Sequence, residues 1–383
     1  MPESDVVIVR GGLHGAALAF ELASSGRAVT LLARRELASG ASGGLGLRGV
    51  RTTDRDVREL PLMRLAHDIW PTLDAVLGAP GSPVDAGFRR TGSVCLFDRD
   101  EAADPRTMAR IRTMAAVQTA HSIPAEVIDA EALRAIEPGL ADVVAGAIAT
   151  PLDDTGDHTR ATLAYAAAAR RAGATILEGT EVTSLADRAA TTSDEVVHRA
   201  RIAVVVLANA YAPALLEAAF GLRLPVWRIY PQMTPVRAAD GFAFRGLVNH
   251  VSRIFSAKTI DGGLVMLSGG RSGEWDEAAD AGTAPASVAA ASVAGAAELA
   301  PSLHGAEAVV TDASRPESVS VDGIPIIDRV LGTEGVLFAT GWSGHGFAIT
   351  PAVARLLAEW VRSSARPPLL APFALARLSA PAG

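Results

Sequence analysis

The stretch Gly335-Val336-Leu337-Phe338-Ala339-Thr340-Gly341-Trp342-Ser343-Gly344-His345-Gly346-Phe347 decides how this chain is read. It opens as a short apolar run of the kind buried in a sheet and closes as a glycine turn, and helical composition follows to about residue 361. The N-terminus has the same order of parts. Asp5-Val6-Val7-Ile8-Val9 is a strand without polar interruption, which fits a parallel sheet covered on both faces. Arg10-Gly11-Gly12-Leu13-His14-Gly15 is a turn, residues 16–24 are helical, and Gly26 stops them. Ala28-Val29-Thr30-Leu31-Leu32 is the next strand. A chain that opens on such a βαβ unit predicts an α/β fold with a doubly wound sheet that holds a dinucleotide.

Between these ends the pattern alternates. Helices are expected over 60–77, 105–120, 159–172 and 286–299, and strands over 90–97, 175–177 and 203–207, with a hairpin-like segment at 182–185. Residues 222–270 read as successive strands with turn glycines at Gly262-Gly263 and Gly269-Gly270. Residues 39–49 and 273–285 read as loops. The two kinds of pattern interleave, so the domains are expected to be discontinuous in sequence.

Composition narrows the function classes. With 383 residues, 49% hydrophobic and 20% charged, the chain reads as globular and long enough for two cores. A net charge of −7 argues against general nucleic-acid binding, which needs a basic face. The single cysteine, Cys95, excludes an intrachain disulfide framework and a cysteine-built zinc site, and no metal site is expected. Cys95 itself reads as a small core residue. No stretch approaches the ~20 apolar residues of a membrane span, and no secretory leader is evident, so a cytoplasmic location is expected. Of the 35 basic residues only Lys258 is a lysine, and the other 34 are arginines.

A Rossmann fingerprint uses three glycines: one for the turn, one for backbone approach to the pyrophosphate, and one for helix–strand packing. Gly12 and Gly15 fill the second and third places, and Arg10 stands in the first. Alone, this turn is also compatible with a plain βα connection.

The C-terminal segment, together with Arg315-Pro316 and Asp322-Gly323-Ile324-Pro325-Ile326-Ile327-Asp328, resembles the D-amino acid oxidase-like family of FAD-dependent oxidoreductases. That family includes glycine oxidases, monomeric sarcosine oxidases and related amine dehydrogenases. Gly40-Ala41-Ser42-Gly43-Gly44, Leu224-Pro225-Val226, Gln232-Met233 and Pro372-Phe373 extend the likeness over nearly the whole chain. The resemblance implies a Rossmann-like FAD-binding domain (1–85, 145–220 and 305–383) interleaved with an antiparallel-sheet substrate domain (86–144 and 221–304), α+β overall. It implies oxidation of the C–N bond of an amino or imino acid. Arg315 matches the arginine that grips the substrate carboxylate, a role suited to a planar guanidinium fork. Arg48 and Arg51 match a pair at the flavin face and substrate pocket; a solvated loop is the competing reading. His345 falls where a residue shares a proton with the flavin edge or caps the loop. Gly11, Gly12, Gly15, Arg34, Ser42, Gly43, Val182, Gly341, Gly344 and Gly346 fall at cofactor-contacting positions. No cysteine lies near Arg315, so the FAD is expected to be non-covalent. Tyr211, Trp227 and Tyr230 read as packing residues. Lys258 falls before the strand where an oxygen-activating lysine is expected, and reads as a surface lysine.

Four departures from the family pattern bear on the nucleotide. They are Arg10 and Ala33, the latter in place of the acidic residue that holds the ribose hydroxyls, together with Asn209 and Pro231 in place of glycines. Asn209 tolerates positive φ and is expected to keep its turn. Loss of the carboxylate at residue 33 is worth about 1.5–3 kcal/mol, or roughly one to two decades of affinity. Two further readings stay open beside the flavoenzyme. One is a member with lost or altered flavin binding, acting as a non-redox enzyme or as a structural partner subunit. The other is an NADP(H) enzyme, because Ala33 is followed by Arg34 and Arg35. A small amino-acid-like substrate is expected in the first two readings, with a homo-oligomer or a partner subunit as the assembly.

Overall fold

The protein is described by a computed structural model that covers residues 3–42, 46–276, 278 and 281–378. Its first sheet has eight strands. Thr175–Leu177, Val29–Leu32, Ser4–Val9, Val197–Val206 and Val336–Thr340 lie side by side in that order, all parallel. Ile326–Arg329 adds an antiparallel edge to Val336–Thr340. The strand Val197–Val206 is longer than the 203–207 expected. Its first residues leave the parallel layer to pair with Ala189–Thr192, which pairs in turn with Val182–Ala186.

The helix Leu13–Ser24 packs between His158–Arg171 and Gly346–Ser363 on one face of this sheet. Alanines and glycines on these helices permit the close approach: Ala16, Ala17, Ala19, Ala161, Ala169 and Ala352 are all fully buried. The helix expected over 60–77 is broken into Leu60–Ile69, a single tight turn at Trp70–Thr72, and Leu73–Val76. Pro71 supplies the cause, since it lacks an N–H and its ring collides with the preceding turn.

The second sheet also has eight strands. Six of its seven pairings are antiparallel, and only Leu247–His250 with Ser93–Asp98 is parallel. One face buries Val94, Val248, Ala257, Val265 and Leu267 against the helix Ala286–Leu299. A small three-stranded sheet, Leu47–Val50, Asp154–Asp157 and Phe88–Arg89, stands by the other face. There a Cβ on Gly49 would lie 2.9 Å from Leu247 Cδ2.

Three expectations are corrected here. Residues 39–49 are not all loop, because Leu47–Val50 is a strand. Residues 273–285 contain a hairpin, Glu274–Asp276 with Ala281–Thr283. It packs on Tyr230, whose ring stacks on Trp275 at 4.9 Å. Trp227 is not a packing residue: it sits on a two-stranded ribbon and is half exposed.

Candidate functional site

One long cleft runs along the C-terminal edge of the parallel strands, where open α/β sheets bind their ligands. Arg10, Ala33, Arg34 and Tyr211 line one end. Gly12, Ser42 and Gly40 line the middle, and Arg48, Arg315, Trp342 and Phe347 the other end.

The middle is built for an anion. Gly12 caps the helix Leu13–Ser24 in extended conformation, with no side-chain cap and no acidic residue in the first turn. The first-turn N–H groups and the positive end of the helix dipole are therefore left for a ligand. A Cβ on Gly12 would meet nothing within 4 Å, so space is kept on the ligand side. Gly15 is required for a different reason, since a Cβ there would run into the Arg10 carbonyl oxygen. Gly11 lines the cleft, but its Cα faces the wall, where a Cβ would lie 2.5 Å from Ala33 Cβ.

At the adenosine end Arg10 keeps the backbone of the glycine it replaces, with φ of 95°. Its side chain folds back, placing the guanidinium 4.0 Å from the centre of the Tyr211 ring. Arg228 and Arg34 approach the same ring at 5.2 and 5.7 Å. Tyr211 thus packs on the core below, as expected, and offers its ring to three guanidinium groups. Arg34 is also ion-paired to Glu181 at 3.0 Å, and so does not stand free for a 2′-phosphate. Val182 borders a neighbouring hollow beside Arg10 and Arg34, not the main cleft. A non-glycine residue at such a φ is strained by about 1–3 kcal/mol. The cation–π contact returns about 0.5–2 kcal/mol. Arg10→Gly is therefore expected to raise the melting temperature by about 1–3 °C, measured calorimetrically; a fall would show that the stack outweighs the strain.

At the opposite end the turn Gly341–Gly344 holds three left-handed residues, Gly341, Ser343 and Gly344. Two amides expected to face the cofactor are already engaged. Gly341 N–H donates to Ser318 Oγ at 2.8 Å, and Gly344 N–H donates to Glu317 Oε1 at 3.0 Å. What these glycines contribute is the shape of the turn. Asn209 keeps the positive φ expected of it, 46°, and its Oδ1 accepts from Ser318 N and Oγ at 3.1 and 2.6 Å. Gly346 opens the helix Gly346–Ser363, again without a side-chain cap. Gly43 lies outside the described residues.

His345 is turned away from the cleft. Its Nδ1 lies 2.8 Å from Glu59 Oε2, and Arg55 bonds Glu59 Oε1 at 3.1 Å and the His345 carbonyl at 3.1 Å. Burial, then Arg55, disfavour the charged imidazole against the pull of Glu59. The histidine therefore ties the glycine turn to the interior. Sequence reading did not single out His14, which stacks on Trp342 at 3.9 Å and is held neutral, pushed down to about 3 by burial.

Arg48 and Arg315 both reach the cleft, whereas Arg51 lies off its wall. Arg48 donates to the carbonyls of Gly46 and Ser42 at 3.2 and 3.0 Å, and burial pushes it down to about 10. Arg315 donates from Nε to Ser39 O at 3.1 Å and from Nη1 to Ser314 O at 3.3 Å. It pairs with no carboxylate among the described residues, leaving Nη2 uncommitted. Beside Arg48, Glu317 is buried, accepts from Ser42 Oγ, and is pushed up by that burial. Lys258 corrects the surface reading: it is 4% exposed, on the strand Ser256–Ile260 opposite Met266. Periodicity did not signal this, because a lone lysine among apolar residues fits an edge strand equally well.

Cys95 is buried in the second sheet, its thiol pushed up to about 12 by that burial. Asp98, Glu101 and His250 form a cluster that superficially suits a metal. Its bonding argues otherwise. His250 Nδ1 accepts the backbone N–H groups of Ser252 and Arg253, both at 3.2 Å, which leaves the proton on Nε2 facing Asp98. Asp98 is paired with Arg253.

The donor set fits the FAD that the resemblance implies. The capless N-terminus of Leu13–Ser24 would hold the pyrophosphate, a second capless N-terminus opens at the other end, and Ala33 offers the ribose no carboxylate.

Comparison with known proteins agrees. A family model described as FAD dependent oxidoreductase matches residues 5–360. The glycine oxidase of Geobacillus kaustophilus is 29% identical over 382 residues, covering 97% of each chain. Its crystal structure superposes with a TM-score of 0.82 over 98% of this chain and 99% of that one, at 25% identity. The L-proline dehydrogenase of P. horikoshii shares the fold, with a TM-score of 0.85 and 24% identity, covering 99% of this chain and 98% of that one.

Proposed function

The chain belongs to the FAD dependent oxidoreductase family, and we propose that it oxidises the C–N bond of an amino or imino acid with non-covalent FAD. The observation that carries this reading is Arg315, a guanidinium on the cleft wall with no carboxylate partner among the described residues. The glycine oxidase of G. kaustophilus and the D-amino acid dehydrogenase of Rhizobium johnstonii support the substrate class by their names. The latter is 29% identical over 254 residues, 63% of this chain and 58% of that one. Among the described residues no helix is long and apolar enough to cross a membrane, and we place the protein in the cytoplasm.

Bound FAD supplies the two-electron acceptor. The chain does the rest by binding and orienting. The Gly12 helix N-terminus would hold the pyrophosphate, with Gly40 and Ser42 as the wall beside it. Arg315 fixes the substrate carboxylate through its uncommitted edge, which sets the amine-bearing carbon against the cofactor. Trp342 and Phe347 exclude water from that end of the cleft, where a dry site strengthens each charge interaction. No protein base is required if the amine reacts in its neutral form. Ala33 leaves the ribose hydroxyls without their carboxylate, so FAD affinity is expected to lie about one to two decades below that of a relative with the acid.

The test is anaerobic mixing of the FAD-loaded protein with single amino acids and N-substituted glycines. At least one of these is expected to bleach the flavin absorbance. If carboxylated amines fail throughout while the protein carries FAD, the substrate class is wrong.

A further inference from the structure

The face of the second sheet that meets Leu47–Val50 carries donors without acceptors. Val248 pairs with Ala257 and Asn249 with Ser256, so Lys258 stands opposite Leu247, the residue that touches Gly49. Asn249 shares that face by the two-residue alternation of a strand. Asn249 is 6% exposed, and its Nδ2 is buried with no hydrogen-bond partner. Lys258 is 4% exposed and makes no hydrogen bond or ion pair with a described residue. Arg51 donates from Nη1 to Thr53 O and pairs with no described carboxylate. After burial, the charges acting most strongly on Lys258 are Arg48 and Arg51, both repulsive, and no acid offsets them. None of the three lines the cleft itself; Arg48, which does, is the charge that acts most strongly on Lys258 and so sets the group beside the cleft wall.

Buried donors and cations without partners are costly, and a fold keeps them where a ligand completes them. We propose that Lys258, Asn249 and Arg51 bind a second carboxylate of the substrate, so that the enzyme acts on a dicarboxylic amino or imino acid. Arg315 takes the first carboxylate and this group the second, with the amine between them at the cofactor. The inference rests on the reading given under Proposed function. A substrate with one carboxylate leaves the cation group uncompensated and pays for its desolvation without return. Specificity then follows from charge count rather than from the shape of an apolar side chain.

The experiment uses the FAD-loaded enzyme and pairs of amines that differ by one carboxylate. N-methylglycine is set against N-(carboxymethyl)glycine, and alanine against aspartate and glutamate in both enantiomers. Anaerobic stopped flow yields the flavin reduction rate constant and Kd for each. In at least one pair the diacid is expected to be favoured by on the order of a hundredfold in the ratio of rate constant to Kd. Lys258→Met is expected to lower that preference by about tenfold or more, and to melt no lower than the native enzyme because it removes a buried amine without a partner among the described residues. Glutarate, which cannot be oxidised at nitrogen, is expected to raise the melting temperature of the native enzyme more than that of Lys258→Met. Equal use of both members of every pair, or an equal loss for both in Lys258→Met, overturns the second carboxylate site. Reduction by monoacids alone overturns this inference and leaves the proposed function standing. Reduction by no amine overturns both.

Discussion

Arg315→Met is expected to lower kcat/KM for a carboxylated amine by about two to three decades, since truncating one partner of a desolvated charge pair costs roughly 2–5 kcal/mol. Methionine keeps the length and most of the apolar stem, so the change isolates the guanidinium. Arg315 is half-buried and anchored by two backbone carbonyls, and neither anchor is a charge whose loss would unfold the protein. The melting temperature is therefore expected to move little. If Arg315 only grips, the loss appears in KM. If it also sets the angle of the amine-bearing carbon, kcat falls with it. Arg315→Lys restores charge but not the two-pronged geometry, and is expected to recover only part of the loss. Steady-state kinetics on the best substrate decides the matter. An unchanged kcat/KM in the methionine variant would remove Arg315 from the site.

Glu59→Ala carries the largest expected effect on stability. The Glu59 side chain is fully buried and that of Arg55 is 2% exposed, and the two are joined at 3.1 Å. Removing one member of a buried pair strands the other charge, at a cost of about 3–5 kcal/mol. The same carboxylate holds His345, so the glycine turn beside the cleft should loosen with it. Although burial pushes the Glu59 carboxyl up, Arg55 and His345 hold it below its ordinary 4.5. A depressed acid stabilises the fold above its unfolded value, and that stabilisation is lost as pH falls through the folded value. The contribution is therefore whole at neutral pH. Denaturant melts at pH 7 measure it. The double variant Glu59→Ala/Arg55→Met is expected to be more stable than Glu59→Ala alone, because it strands no charge. A double variant that is less stable would show that the pair acts through packing instead.

Local chemistry made much of this legible. The strand, glycine turn and helix at each end announce themselves through period and through residues that only one backbone conformation suits. The helices 105–120 and 286–299 appear as Pro105–Ala120 and Ala286–Leu299, because capping and alanine content act within a few residues. Fingerprint glycines Gly12 and Gly15 keep distinct duties for the same reason: each is defined by what lies within one turn of it. Asn209 likewise keeps its positive φ because the preference belongs to the residue itself.

Partnership was not legible. The amides of Gly341 and Gly344 are taken by Ser318 and Glu317, more than twenty residues away. His345 looks poised for the cofactor in sequence and is claimed instead by Glu59, 286 residues distant. The Arg10 side chain is free to reach a phosphate in sequence, and in the fold it lies on Tyr211. Lys258 reads as exposed, and in the fold it is buried, where that burial and then Arg48 and Arg51 push its ammonium down to about 7.

By itself the sequence determined the α/β class, the glycine turn that opens the first helix at the cleft, and the arginine-rich character of the cleft wall, since these depend on residue type and short spacing. Only the tertiary structure decided which arginines line the cleft, which gather round Tyr211, and that the lone lysine has no carboxylate partner among the described residues. Burial and charge pairing are set by strands and turns brought together from distant parts of the chain, and no local period encodes them.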